Sequence, residues 1–132
     1  MALYYNISNL NERHENDAVL IQINVKSLVL LAEVKLIKIE KAISKKKYDK
    51  VLKHVSKLNK FLVLFEIDEC LEYAEAISMW ADNQGSKKAI EEVFKVYKVR
   101  IEKVLKEMKR DFKIVSSTLQ KLWMILVFKL SK

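Results

Sequence analysis

Five carboxylates, Glu66, Asp68, Glu69, Glu72 and Glu75, crowd into ten consecutive residues of the chain. Glu66 and Glu69 stand three apart, as do Glu72 and Glu75, so each pair shares a helix face. Paired carboxylates on inward helix faces hold two metal ions in ferritin-like bundles, but that chemistry takes a histidine three residues after a glutamate. Neither His14 nor His54 stands there. The cluster therefore reads as a solvated acidic face, and neither a metal ligand nor a cofactor is expected. His14 lies in the polar run Glu12-Arg13-His14-Glu15 and is expected at the surface. His54 lies beside a run of lysines with no carboxylate three or four residues away. A reactive cysteine needs a cation or a base to hold its thiolate. Cys70 has no base beside it in sequence and falls among apolar positions, so it is expected in the core. The single glycine, Gly85, excludes a glycine-rich phosphate loop. No catalytic residue is expected, and the chain is read as a non-enzyme.

Lysine is the more informative residue type. The formal net charge is +8, and 22 of the 25 basic residues are lysine. Arg13, Arg100 and Arg110 are the only arginines. Lysine is a point charge, whereas arginine gives the forked, bidentate contacts that read bases or carboxylates. Lys95, Lys98, Lys106, Lys109 and Lys113 fall on one ridge over about five helical turns, with Lys88 at its start. Glu91 and Glu102 pair with Lys95 and Lys98 along the helix, so part of this ridge is ordinary solvation. The other part is a candidate contact with phosphate backbones, independent of sequence and sensitive to salt. Charge also comes in blocks: residues 26–60 carry +8, residues 61–86 carry −6, residues 87–132 carry +8 and residues 1–25 carry −2.

The elements that must position these side chains are helices. Apolar residues recur at a period of 3.6 nearly throughout, and proline is absent. The longest such pattern runs from Ser86 to Lys129 and predicts one very long amphipathic helix or two collinear ones. Its inward side carries Ile90, Val93, Phe94, Tyr97, Ile101, Val104, Leu105, Met108, Phe112, Val115, Leu119, Leu122 and Leu126. An earlier helix is predicted from about Asp17 to Ser44, capped by Asn16 or Asp17. Ala18, Ile21, Val25, Leu28, Val29, Ala32, Leu36, Ile39 and Ile43 make one stripe, and Val19, Leu20, Ile23, Leu30, Leu31, Val34 and Ile37 a second, broad arc. A helix apolar on two faces is expected to be covered on two faces. Ser44 to Lys47 predicts a turn and Tyr48 the start of the next helix. Phe61 to Phe65 is apolar on every side and Glu66 falls on the apolar stripe, which predicts a kink or break at 61–66, although an unbroken helix also fits the pattern. Gly85 is expected to take the left-handed position that ends a helix, and Ser86 to cap the last helix. The expected architecture is all-α: an antiparallel three- or four-helix bundle with long helices, built from residues 16–132 and preceded by an irregular arm, residues 1–15, that is ordered only if it docks.

The chain is long enough, at 132 residues, for one domain with its own core. Its lone cysteine excludes an internal disulfide and favours a reducing interior. No secretory signal and no run approaching the ~18 apolar residues of a membrane span is read from the sequence. The bias toward lysine, glutamate, isoleucine and valine leans toward a thermophile. Leu122 to Phe128 is the longest apolar run, and on the helical wheel part of it falls on the face that carried lysines. Trp123, Ile125, Val127 and Phe128 are therefore expected at an interface between copies of the chain.

In size, lysine and isoleucine bias, absence of proline and apolar helix surfaces, the chain is similar to the small, basic, all-helical virion proteins of hyperthermophilic archaeal viruses. That resemblance implies a coat-like structural protein around DNA or in a virion tail, and no catalytic residue. The expected function is a self-assembling, non-enzymatic structural protein, a dimer or larger, contacting other structural proteins and DNA without reading its sequence. The expected location is the host cytoplasm or the virion. The alternative is an adapter or regulator that binds a partner's helix through exposed apolar surface.

Overall fold

The computed structural model describes residues 4–114, and all of their regular structure is helical. A short helix, α1 (Ser8–Arg13), precedes four long ones: α2 (Ala18–Ser44), α3 (Tyr48–Leu64), α4 (Asp68–Asp82) and α5 (Lys87–Asp111). Short turns make successive long helices antiparallel. α2 packs on α3 and α5, and α4 packs on α3 and α5, so the four form a ring of neighbours around one core. The inward faces of the four helices fill that core: Val25, Val29 and Ile39 of α2, Val51, Leu58 and Leu62 of α3, Ala74 and Ile77 of α4, and Tyr97, Ile101 and Met108 of α5 are all buried. Cys70 is buried with them.

Both helix starts with a polar cap follow from side-chain chemistry. Asp17 accepts from the backbone N–H groups of Val19 and Leu20, and Ser86 Oγ accepts from the N–H of Ala89 at 3.3 Å. The helix ends follow a different rule from the expected one. Each of the five helices ends with a residue in the left-handed region, and none of these residues is glycine: Glu15, Lys46, Glu66, Gln84 and Lys113 have φ between 50° and 55°. In each case the N–H of the following residue reaches back to a carbonyl of the last turn, as Ile67 does to Leu62 and Ile114 to Lys109, both at 2.8 Å. Gly85 is thus not the left-handed residue; Gln84 is, and Gly85 follows it. What requires glycine at 85 is space. The Trp80 indole lies where a Cβ would stand. Trp80 Nε1 donates to the carbonyl of Ser86 at 2.7 Å, and the Tyr48 hydroxyl donates to the carbonyl of Gly85 at 2.8 Å.

One further expectation is corrected and two open ones are resolved. The single helix expected from Ser86 to Lys129 ends at Asp111, because Lys113 turns left-handed and Ile114 folds back into the core, and the second of two collinear helices would fall outside the described residues. The break expected at 61–66 is present, and the unbroken helix is not: Glu66 turns the chain, while Phe65 and Ile67 on either side of it are buried. The N-terminal segment is docked rather than irregular. Leu10 of α1 belongs to the core, the Asn6 N–H donates to the Phe65 carbonyl at 2.8 Å, and Tyr5 sets its ring edge-on to Phe65 at 6.2 Å. The second apolar arc of α2 is only partly covered among the described residues: Val34 is buried, but Val19, Leu20, Ile23 and Ile37 are exposed.

Candidate functional site

The ridge of α5 divides when its neighbours are in view. Lys88, Lys95 and Lys106 are exposed, as is Lys113 just past the helix end. Lys98 and Lys109 instead reach sideways to α2. Lys98 Nζ lies 3.1 Å from Glu40 and Lys109 Nζ lies 2.6 Å from Glu33, a carboxylate only 8% exposed. Antiparallel packing places these residues opposite one another, although they are far apart in sequence. Arg100 on the other flank is engaged by Glu69 of α4 and lies over the Tyr73 ring, 5.4 Å from its centre. Beside them a cleft of about 730 Å³ opens between the start of α4, the N-terminal segment and α5, with Lys95 and Lys103 on its wall among Glu66, Asp68, Glu69 and Glu92. Its charges are mixed, so it holds no single-signed field.

A second concentration of lysine lies elsewhere, along a groove of about 1310 Å³ between α2 and α3, closed at one end by α1. Leu28 and Leu31 of α2 and Phe61 and Leu64 of α3 form its apolar floor. Lys53, Lys57 and Lys60 stand along the α3 rim, and Val63, 58% exposed, continues it. Across the groove Lys38 stands half-buried on α2 with Lys35 buried beside it, and Arg13 stands at the α1 end. The described walls hold six basic side chains and one carboxylate, Glu12. Lys53, Lys57 and Lys60 make no salt bridge among the described residues. Asn59 also lines the groove, and its side-chain oxygen is buried without a hydrogen-bond partner among the described residues.

His54, placed by sequence beside a solvated lysine face, is 5% exposed, and its Nδ1 lies 3.3 Å from Nζ of Lys35, itself 6% exposed. Their meeting depends on the α2–α3 register. Deeper in the core, the Tyr97 hydroxyl is buried without a hydrogen-bond partner among the described residues, and burial raises its pKa. Burial also pushes the Cys70 thiol up to about 11, which keeps it a thiol rather than a nucleophile at neutral pH. Among the described residues no group of three His, Cys, Asp or Glu side chains is placed to hold a metal ion, and no helix is long and apolar enough to cross a membrane. The expected interface residues Trp123, Ile125, Val127 and Phe128 lie outside the described residues. No family model, curated protein or solved structure matches the chain.

Proposed function

We propose that the protein is a non-enzymatic structural component that assembles with copies of itself and contacts nucleic acid through lysines, without reading sequence. Assembly as a virion coat is the form that the compositional resemblance supports. The observation that carries the nucleic-acid reading is the exposure of Lys88, Lys95 and Lys106 on one side of α5 over about 27 Å, the rise of 18 helical residues. Point charges at this spacing meet phosphates and release counterions, which gives affinity that falls steeply with salt. The scarcity of arginine removes the usual means of base readout.

The test is binding to two unrelated DNA duplexes at several salt concentrations. Equal affinity for both duplexes is expected. Changing Lys88, Lys95 and Lys106 together to Gln should weaken both equally, by about tenfold or more, and lower the salt slope by about 3. Affinity that ignores the substitutions, or a strong preference for one duplex, overturns the reading.

A further inference from the structure

We infer that the α2–α3 groove of one copy receives the outer face of α4 from a second copy. The inference rests on the self-assembly part of the proposed function and names the surfaces that perform it. The groove asks for an occupant with apolar side chains for its floor and negative charge for its rims. The outer face of α4 has both. Asp68, Glu72, Glu75 and Asp82 are exposed, and they project on one side of the helix around Ala76 and Met79. Met79 is 57% exposed, an apolar tip inside a carboxylate frame. None of these four carboxylates makes a salt bridge among the described residues, nor do Lys53, Lys57 and Lys60. Each surface thus keeps its charge available to the other.

The dimensions agree as well. α4 has 15 residues and a length of about 22 Å, and the α3 rim from Lys53 to Leu64 extends about 16 Å. A helix laid in a groove between two others is a recurrent mode of recognition, with apolar anchors below and polar flanks at the rims. Here Met79 and Ala76 would meet Phe61, Leu31 and Val63, while the carboxylates meet the lysine rims.

The two surfaces lie at different corners of the bundle, because α3 separates the groove from the outer side of α4. One molecule can therefore use both at once. Such a contact is head-to-tail, and it adds copies in an open chain unless its rotation closes a ring. Charge complementarity also makes the association fall with salt and sets its orientation.

Charge reversal tests this with the full chain. Light scattering at low salt should show the wild-type mass growing with concentration beyond a dimer, and falling back as salt rises. The variant Lys53→Glu/Lys57→Glu/Lys60→Glu and the variant Glu72→Lys/Glu75→Lys/Asp82→Lys should each associate at least tenfold more weakly while keeping wild-type helicity by circular dichroism. All six positions are exposed, so the fold does not depend on them. Mixing the two variants should restore association, because the acidic α4 of the first finds the basic groove of the second. Wild-type assembly that is indifferent to both reversals overturns the groove contact and leaves the self-assembly reading standing. Two variants that each fail to associate and stay apart on mixing overturn it too. A wild type that keeps the protomer mass at every concentration overturns both.

Discussion

The lysines of α3 and those of α5 have the same helical spacing and sit in different chemical settings. On α5, Lys98 and Lys109 face carboxylates that α2 brings across, at 3.1 and 2.6 Å. On α3, Lys53, Lys57 and Lys60 stand exposed along the rim of an apolar groove. The first arrangement holds two helices of one molecule together. The second builds up positive charge beside apolar surface, which is a setting for something that is not part of the same bundle. A basic helix face is therefore defined by the helix beside it as much as by its own sequence.

The largest expected effect that sharpens this contrast is on stability. Lys109→Ala removes a charge-assisted hydrogen bond to the buried carboxylate of Glu33 and should cost about 2 kcal/mol. Lys57→Ala, at an exposed rim, should stay within about 0.5 kcal/mol. Urea denaturation of both variants checks the difference, and equal losses would erase the distinction between the two helices.

A smaller effect concerns the inner side of α5. Tyr97→Phe removes a buried hydroxyl that has no partner among the described residues and should stabilise the fold by about 1 kcal/mol. The pH dependence should change with it. The folded-state pKa of Tyr97 is raised above its unfolded value of about 10. Its contribution is therefore fully present below pH ~10 and is lost as pH rises through the folded value. The gain from Tyr97→Phe should accordingly grow in thermal melts above pH ~10. A gain that shrinks there would contradict the burial of this hydroxyl.

Smaller again is a difference within the α5 ridge. Lys98→Gln or Lys109→Gln should lower the salt slope of DNA binding by less than the ~1 expected for Lys95→Gln or Lys106→Gln, since their charges already serve Glu40 and Glu33. Equal slopes would show that the ion pairs open on binding. The last expected effect is a gain of at most ~1 kcal/mol from Glu66→Gly, which relieves a left-handed backbone without touching a core contact. Urea denaturation reads it, and a loss of stability would show that the Glu66 side chain holds the turn.

The helices were legible because their apolar residues repeat at the helical period and because Asp17 and Ser86 are caps by their own chemistry. The core position of Cys70 and the break before Asp68 were legible for the same local reasons. The ends of helices were less so. Expecting glycine in the left-handed position placed one helix end at Gly85, while Lys113 and Glu66 adopt that conformation with nothing in their residue type to announce it. The site was hardest to read. Lys98 and Glu40 are 58 residues apart, Lys109 and Glu33 are 76 apart, and His54 meets Lys35 across two helices. Helical periodicity gives the face on which a lysine stands. What that face looks at is fixed by tertiary register, which no local pattern encodes.

The corner at Glu66 bears on the order in which the molecule folds. Residues 61–70 contain neither glycine nor proline, so no helix-breaking residue stops a helix from continuing through them. A left-handed residue there costs about 1–2 kcal/mol relative to helix. The corner is held by distant groups: the core around Phe65 and Ile67, the Asn6 N–H on the Phe65 carbonyl, and the Asn9 side chain donating to the Leu64 carbonyl at 3.3 Å. A chain without those partners favours running straight from α3 into α4. We therefore expect a nascent helix through this region early in folding, and a bend that sets only when the N-terminal segment closes over it.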